Sequence, residues 1–371
     1  MVSNKDTVTK LLSLAGININ GNNPWDIKII NDDFYNRVMA WGSLGLGESY
    51  MNGWWESKQL DEFFFRILRT DIESHVKQNW ALLLSALTAR AINLQSKKRA
   101  FQIGEKHYDI GNDLFIKMLD KRMTYSCGYW RNAIDLDEAQ EHKLDLICQK
   151  LGLRPGMKIL DVGCGWGSLA KYAAENYRVE VVGITVSREQ MELARTLCED
   201  LAVEIRLQDY RDIYDQFDRI VSVGMIEHVG YKNFRTFMEI IYRCLSNGGL
   251  FLLQTIGGTQ SRTSVDPWIN RYIFPNGMLP SIKQLGKAIE GLFVIEDWHS
   301  FGADYDKTLM AWYQNFENNW DELKSNYNER FHRMWRYYLL SCAGSFRARK
   351  NQLWQVVPSK GGVSGGYQSI R

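Results

Sequence analysis

Residues 160–168, which read Leu-Asp-Val-Gly-Cys-Gly-Trp-Gly-Ser, place one carboxylate beside three glycines. The apolar run before them, at 157–160, predicts a buried strand, and the pattern after them, at 169–176, predicts a helix. Glycines in such a turn let the backbone approach a ligand closely, and the start of the helix offers free N–H groups. The order of strand, glycine turn and helix indicates a nucleotide-type site, with a plain tight turn as the alternative.

The spacing of the glycines distinguishes between classes of nucleotide. A phosphate-binding loop ends in Gly-Lys-Ser/Thr, and residues 166–168 contain no lysine. A dinucleotide-binding turn has the spacing Gly-x-Gly-x-x-Gly, whereas Gly163, Gly165 and Gly167 alternate. This Asp-x-Gly-x-Gly-x-Gly pattern resembles that of the S-adenosylmethionine-dependent methyltransferases. The resemblance implies that Asp161 lies near the amino group and the sulfonium of that cationic cofactor.

The ends of the following predicted strands supply further candidate cofactor contacts. Hydroxyl groups follow the second strand, where methyltransferases often have an acidic residue for the ribose. At the end of the third strand, Asp209 can accept a hydrogen bond from the adenine amine, and Tyr210 can stack on the base. The residues expected to bind the cofactor are Tyr125, Ser126, Asp161, Gly163, Gly165, Gly167, Thr185, Ser187, Gln190, Gln208, Asp209 and Tyr210.

A second group of polar residues lies within apolar sequence. Glu227 belongs to the run 221–229, which we predict to be the end of the fourth strand, and burying a carboxylate there without a partner is costly. The segment 125–130 places small polar groups between aromatic rings. These residues are either reactive or, for Glu227, part of a structural pair with a neighbouring helix.

The chain resembles the cyclopropane-fatty-acyl-phospholipid synthase family over nearly its whole length. The segments that carry the resemblance are 45–51, 93–99, 107–109, 125–127, 224–230, 266–270, 274–277, 301–306 and 346–349. The resemblance implies that the double bond of a phospholipid acyl chain takes the methyl group of S-adenosylmethionine, and that S-adenosylhomocysteine leaves. The carbocation then loses a proton from the added methyl group, and the ring closes. Such a reaction needs an apolar channel, ring faces to stabilise the cation, and a base in a dry site.

The resemblance also implies that a bound bicarbonate ion is this base. Its expected ligands are Cys127, Glu227, the backbone of Ile256, and Tyr305. The family often has histidine where this chain has Gln254. An amide can donate a hydrogen bond to an oxyanion but cannot take up a proton, so we expect Gln254 to position the ion only.

Two further side chains have competing interpretations. Cys342 lies where family members carry a cysteine that has been described as an active-site residue. The reaction needs no thiol nucleophile, however, and a buried cysteine usually behaves as a small apolar residue. His228 would point away from Glu227 if the strand continued that far, and we interpret it as a structural histidine.

Strands and helices alternate from residue 157 onward, and they must position these groups. The predicted strands are 157–163, 179–186, 203–207, 217–223, 250–256, 293–298 and 353–357, with helices at 188–198, 231–245 and 281–290. The alternation predicts a mainly parallel sheet whose ligands bind at the carboxyl ends of the strands. We therefore expect an α/β protein of the Rossmann-like class I methyltransferase type with a seven-stranded sheet. We expect the insertion 258–279 and the helical block 306–352 to form a lid.

The N-terminal part of the sequence lacks this alternation of strands and helices. We expect residues 1–100 to form a smaller helical domain that docks lipid or a partner subunit, and residues 101–371 to form the catalytic domain. The glycine-rich patch 41–50 is predicted to interrupt the helices. The apolar stretch 80–87 leads to the basic cluster 97–99, which is typical of either an interfacial helix on a bilayer or a core helix with a solvated end.

Charge is unevenly distributed although the net charge is only +2. Residues 74–104 contain five basic and no acidic side chains, and residues 330–371 contain eight basic and none acidic. Such segments favour an anionic partner, either phospholipid head groups or nucleic acid, with a solvated face as the alternative. The family resemblance favours the surface of an unsaturated phospholipid bilayer, implies a homodimer, and gives no role to nucleic acid.

Composition limits the compartment. No run of 18 apolar residues is present and the first residues lack the apolar core of a signal peptide, so we expect neither a membrane span nor export. The six cysteines form no Cys-x-x-Cys pair, which argues against structural zinc and for free thiols, and we expect no metal. We expect a cytoplasmic protein associated peripherally with the inner face of the membrane.

Overall fold

The computed structural model of the protein describes residues 3–70 and 111–371. The first range contains helices and a short antiparallel ribbon: α1 (Asn4–Leu14), β1 (Lys28–Ile29), α2 (Asp33–Met51), β2 (Trp55–Glu56) and α3 (Leu60–Arg69). The second range begins with α4 (Asn112–Met118) and α5 (Leu136–Lys150). The interfacial stretch 80–87, the basic cluster 97–99 and the motifs 93–99 and 107–109 lie outside the described residues.

Strands and helices alternate through the rest of the chain. The strands are β3 (Lys158–Val162), β4 (Glu180–Thr185), β5 (Val203–Leu207), β6 (Phe217–Val223), β7 (Leu245–Gly258), β8 (Val294–Ser300) and β9 (Asn351–Ser359). The helices are α6 (Ser168–Tyr177), α7 (Arg188–Leu197), α8 (Ile226–Val229), α9 (Phe234–Cys244), α10 (Pro267–Tyr272), α11 (Ile282–Ile289), α12 (Asp304–Asn318), α13 (Trp320–Leu323) and α14 (Glu329–Arg347).

The seven strands form one sheet in the order β5-β4-β3-β6-β7-β9-β8. Strands β3 to β7 run parallel to their neighbours, while β9 is antiparallel to both β7 and β8. The sheet is covered on both faces, so its strands read in the sequence as short apolar runs. The expected α/β class with a seven-stranded sheet is confirmed. The order of strands reverses between the neighbours β3 and β6, because β4 and β5 lie on one side of β3 and β6 and β7 lie on the other.

One local prediction was wrong and another was confirmed, and a glycine with positive φ explains each outcome. Strand β6 ends at Val223 because Gly224 adopts φ +66°, so Glu227 lies on the short helix α8 and not on a strand. The interruption predicted for residues 41–50 is present at Gly42, where φ is +55° and ψ is −129°, so α2 consists of two helical segments joined by a kink.

The N-terminal helices share a hydrophobic core with the later helices. Residues of α1, α2 and α3 pack in one cluster with α4, α10, α12 and α14. Arg347 on α14 joins this assembly by hydrogen bonds to both carboxylate oxygens of Asp306, at 2.9 and 3.0 Å, and to Asp61 at 2.8 Å. The expected domain boundary near residue 100 falls outside the described residues and stays a prediction.

Most basic side chains of the acid-free segment 330–371 have hydrogen-bond partners within this chain. Six of its eight basic side chains bind carboxylates, carbonyls or polar side chains of this chain; they are Arg330, Arg333, Arg336, Arg347, Lys360 and Arg371. Acids that are remote in sequence, such as Asp297 beside Arg371, supply the counter-charges. Among the described residues, no helix is both long and apolar enough to cross a bilayer.

The insertion 258–279 packs against the N-terminal helices. Trp268 on α10 is 1% exposed, and its indole donates a hydrogen bond to Met51 Sδ at 3.3 Å. Gly47 on α2 faces the same ring so closely that a Cβ at this position would lie 2.3 Å from Trp268 Cδ1. The absence of a side chain at position 47 therefore sets the distance between α2 and α10.

Gly47→Ala should lower the free energy of unfolding by about 1–3 kcal/mol, because the added methyl group overpacks a closed contact. The measurement is urea unfolding followed by fluorescence. Gly286→Ala on α11 is the matched control, since a Cβ there meets nothing within 4 Å. It should leave stability unchanged or raise it by roughly 0.5–1 kcal/mol. Equal losses in both variants would contradict this account of the contact.

Candidate functional site

A cavity of about 210 Å³ opens at the carboxyl ends of β3, β4, β5 and β6. Of the residues expected to bind the cofactor, those in its wall are Tyr125, Ser126, Asp161, Gly163, Gly165, Thr185, Gln190, Gln208, Asp209 and Tyr210. Gly167 and Ser187 do not line the cavity and are instead the N-cap residues of α6 and α7. The glycines at 163, 165 and 167 all have positive φ, between +56° and +85°, which explains why the turn uses glycine three times.

One end of the cavity contains buried charges. Asp161 at the end of β3 is 3% exposed, and burial raises its pKa to about 7 even though Lys143 on α5 opposes this shift. Lys143 is 1% exposed, lines the same wall and donates a hydrogen bond to Ser126 Oγ at 3.0 Å. A ligand that brings a cation to Asp161 would favour the ionised carboxylate.

The other end of the cavity lies where β4 and β5 finish. The Thr185 hydroxyl donates to Gln190 Oε1 at 2.8 Å and accepts from the backbone N–H of Ser187 at 3.2 Å. Asp209 accepts a hydrogen bond from the Arg211 guanidinium at 2.9 Å, so this carboxylate is already paired. Its expected contact with an adenine amine is therefore additional to an ion pair that the sequence did not indicate.

Several residues of the wall were missed in the sequence analysis; they include Lys143, Trp166, Arg211, Met225 and His228. Lys143 belongs to an amphipathic helix, where a lysine normally indicates the solvated face. His228 follows Glu227 on α8 and contacts the ring of Phe274, with ring centroids 5.9 Å apart. Burial lowers the pKa of His228 to about 4, so it is neutral at physiological pH.

Glu227 lies beside the cavity, at the point where the sheet opens between β6 and β7. Because β6 ends at Val223, the backbone N–H of Ile256 has no strand partner on that side, and it donates to Glu227 Oε1 at 2.7 Å. Burial raises the pKa of Glu227 to about 7, although this hydrogen bond favours the ionised form. Within the described part of the chain, its second oxygen Oε2 is buried without a hydrogen-bond partner.

A buried pair of amides lies on the adjacent strands. Gln254 on β7 and Gln355 on β9 are direct cross-strand partners, and Gln355 Nε2 donates to Gln254 Oε1 at 2.9 Å. This bond leaves Gln254 Nε2 and Gln355 Oε1 buried without a partner among the described residues. The amide of Gln254 thus keeps two N–H donors for another group.

An apolar cluster adjoins these polar groups. Cys127 is fully buried against Phe301 and Leu353, and Ile256 and Tyr305 pack on the same cluster. Burial raises the pKa of the Cys127 thiol, so it is protonated. The pKa of Tyr305 is raised by burial and further by Cys127 and Glu227, which places all three groups within electrostatic reach of one another. Its ring stacks on Phe346 with centroids 4.5 Å apart.

Thr308 on α12 holds the segment that carries Cys127, and the sequence analysis did not find it. Its hydroxyl accepts from the Gly128 N–H at 3.1 Å and from the Trp130 indole at 2.9 Å, and it donates to the Asp304 carbonyl at 2.9 Å. Both acceptor positions of this buried hydroxyl hold the segment that carries Cys127, and its one donor bonds within α12.

Cys342 lies on α14 and packs against the core cluster that contains the aromatic residues of this helix. Burial raises the pKa of its thiol to about 12, with Asp266 adding to the shift. The nearby hydroxyl groups of Tyr125 and Tyr338 are 2.9 Å apart. Such surroundings suit a neutral thiol and not a thiolate nucleophile.

Known proteins are similar to this chain in sequence over most of its length. A family model described as mycolic acid cyclopropane synthetase matches residues 95–356. The chain is 58% identical over 356 residues to the cyclopropane-fatty-acyl-phospholipid synthase of Escherichia coli strain K12, which covers 96% of this chain and 93% of that protein. It is also 32% identical to the tuberculostearic acid methyltransferase UfaA1 of Mycobacterium tuberculosis, over 87% of this chain and 80% of that protein.

Solved structures agree with these matches. The mycolic acid cyclopropane synthase CmaA1, complexed with SAH and CTAB, is 33% identical with a TM-score of 0.66, over 70% of this chain and 98% of that chain. Coclaurine N-methyltransferase has a TM-score of 0.70 at 22% identity, over 85% of this chain and 99% of that chain, and shows the shared fold alone.

The affinity for S-adenosylhomocysteine should fall as the pH decreases below about 7, by up to roughly tenfold per pH unit. The reason is that Asp161, with its pKa raised to about 7, must lose its proton before it can pair with the ammonium group of the ligand. Isothermal titration between pH 5.5 and 8 measures this slope.

Asp161→Asn should bind S-adenosylhomocysteine more weakly than the wild type, and its affinity should no longer change with pH over this range. Glu227→Gln is the matched control, because Glu227 has a similarly raised pKa but lies in the neighbouring cluster. A slope that persists in Asp161→Asn would rule out Asp161 as its source.

Proposed function

Because the chain belongs to the mycolic acid cyclopropane synthetase family, we propose that the cavity and the buried cluster beside it are the donor and acceptor halves of one active site. The protein is an S-adenosylmethionine-dependent methyltransferase that cyclopropanates unsaturated lipid acyl chains. It transfers a methylene group to the double bond of a phospholipid acyl chain and releases S-adenosylhomocysteine.

The observation that supports a single site is that two short segments line both halves. In residues 125–127, Tyr125 and Ser126 line the cavity and Cys127 lies in the buried cluster. In α8, His228 lines the cavity while Glu227 binds the N–H of Ile256. A methyl group presented from the cavity therefore enters the cluster without crossing solvent.

The residues of the cluster also fit a bound bicarbonate ion. Glu227 Oε2 and Gln254 Nε2 are buried polar atoms without partners in the described part of the chain, and such atoms are costly unless a further group satisfies them. Cys127 and Tyr305 add a thiol and a hydroxyl at the same place. When bound, bicarbonate supplies a base for the proton that the added methyl group must lose.

The roles of the protein groups follow from their chemistry. Glu227, with its pKa raised to about 7, can hold a proton and so avoid repelling an anion. Gln254 and Tyr305 donate hydrogen bonds. The Ile256 N–H, expected to donate to bicarbonate, donates to Glu227 instead and so fixes that carboxyl group.

Aromatic rings surround the place where positive charge develops. Tyr305 and Phe346 are stacked, and Trp312 contacts Tyr305 with ring centroids 6.1 Å apart. Ring faces stabilise a cation without offering it a nucleophile, and they exclude water that would trap it. We give Cys342 no direct role, because burial keeps its thiol neutral.

The substrate defines where the protein works. We infer that it binds an unsaturated phospholipid bilayer peripherally, at the inner face of the membrane, as a homodimer. The chemistry of the substrate and the acid-free segment 74–104 support this inference, and that segment lies mostly outside the described residues. Residues 1–100 are proposed to provide the lipid-binding and dimerisation domain, and no role is proposed for nucleic acid or a metal.

Incubation of the protein with S-adenosylmethionine, bicarbonate and vesicles of unsaturated phospholipid should give cyclopropane proton signals at high field in the NMR spectrum of the acyl chains. Glu227→Gln should bind S-adenosylhomocysteine as the wild type does but lose most of its turnover, by about 100-fold or more. The physical reason is that this residue is in the acceptor half and not in the cavity wall.

The surface variant Glu239→Gln on α9 is the control and should be fully active. A gain of one methylene mass without cyclopropane signals would indicate methyl branching instead of ring closure. No change in the acyl chains would contradict both activities, and full turnover by Glu227→Gln would contradict its assigned role.

Gln254→Leu should raise the bicarbonate concentration needed for half-maximal activity by about tenfold or more, because one hydrogen bond to an anion is lost. Gln254→His should recover part of the loss, since a neutral imidazole also has an N–H donor. Activity is followed in buffers depleted of carbon dioxide and supplemented with bicarbonate. An unchanged bicarbonate dependence in Gln254→Leu would place the ion elsewhere.

A further inference from the structure

Helix α5 carries two buried lysines whose charges are compensated differently. Lys150 is 0% exposed, and its Nζ is 3.1 Å from Asp297 Oδ2 and 3.1 Å from His299 Nδ1. Lys143 is 1% exposed, and its Nζ donates to Ser126 Oγ at 3.0 Å. Within residues 3–70 and 111–371, no carboxylate lies within 4.0 Å of Lys143 Nζ, although an ammonium has three protons to donate.

Lys143 faces the cavity. It is part of the cavity wall together with Asp161 and Ser126. Burial lowers the pKa of Lys143 to about 8, and the negative fields of Asp120 and Asp161 oppose this shift. Asp120 is already engaged, because it accepts the backbone N–H groups of Arg122 and Thr124. A buried ammonium that faces a ligand-binding cavity with no carboxylate of the described residues within 4.0 Å indicates a ligand with a negative group at that place.

We propose that Lys143 binds the α-carboxylate of the methionyl group of S-adenosylmethionine, while Asp161 takes the α-ammonium. The assignment rests on the binding of this cofactor stated above. One buried cation and one buried anion in the same wall complement an amino-acid zwitterion. Arg211, another cation of the wall, pairs with Asp209 at 2.9 Å near the ends of β4 and β5.

Ser126 acts with Lys143. One lone pair of its hydroxyl accepts the ammonium N–H, so its own O–H is free to donate to the same carboxylate. Its backbone carbonyl accepts from Gln140 Nε2 at 2.7 Å, which fixes the segment against α5. Because Cys127 is the next residue, the bond between Lys143 and Ser126 also ties the methionyl end of the cofactor to the acceptor half of the site.

The test compares two ligands that differ only in the carboxylate. They are S-adenosylhomocysteine and its decarboxylated analogue, 5′-(3-aminopropylthio)-5′-deoxyadenosine, titrated calorimetrically into the full-length protein. Lys143→Met should lower the affinity for S-adenosylhomocysteine by about 10- to 100-fold. It should leave the affinity for the analogue unchanged or raise it. The affinity for the analogue can rise because the substitution removes the positive charge that repels the ammonium group of the analogue.

Lys150→Met is the matched control, since it removes an equally buried lysine from the same helix but outside the cavity wall. It should leave the affinities for both ligands unchanged. If Lys143→Met lowered the affinities for both ligands equally, or changed neither affinity, Lys143 would be a structural residue and the proposal would be overturned. Thermal unfolding shows whether each variant is folded.

A wild-type measurement keeps the proposal falsifiable if Lys143→Met does not fold. The wild type should bind the carboxamide of S-adenosylhomocysteine, which is neutral at that group, about 10-fold or more weakly than the acid. Equal affinities would overturn the role of Lys143 while leaving cofactor binding intact. No binding of S-adenosylhomocysteine itself would overturn the cofactor assignment as well.

Discussion

The hydrogen bond between Glu227 and the backbone of Ile256 is the contact on which the arrangement of the site depends. It exists because β6 stops at Val223 while β7 continues, so that one N–H of a central strand is left for a side chain. A carboxyl group that closes this gap is necessarily buried, and burial brings its pKa near neutrality. The segment that follows the end of β6 borders the cofactor cavity with Gly224, Met225 and His228 and also carries Glu227, so the geometry of the sheet positions both groups of residues.

Much of this architecture could be predicted because it depends on local patterns. Buried parallel strands read as short apolar runs, and the glycines at 163, 165 and 167 mark the turn at the end of β3. The donor site followed from this turn and from the next strand ends. The acceptor site did not follow from composition or spacing, and was predicted only through resemblance to a family.

The errors and omissions come from effects that are not local in sequence. A single glycine with positive φ, Gly224, moved Glu227 from a strand to a helix. Arg347 in the acid-free segment 330–371 pairs with acids far away in the chain, Asp61 and Asp306. Lys143 reads as a solvated residue of an amphipathic helix, because its burial depends on how residues 119–127 fold over that helix.

The order of the strands has a consequence for how the protein is made. Strand β9 lies between β7 and β8 in the sheet, yet it follows both in the chain. During synthesis on the ribosome, β8 must wait for a partner that has not been translated, with two strand edges exposed. Gln355 arrives on this late strand, so the buried amide pair forms last. A nascent chain could therefore form the glycine turn at the end of β3 well before the strand that carries Gln355 has been synthesised.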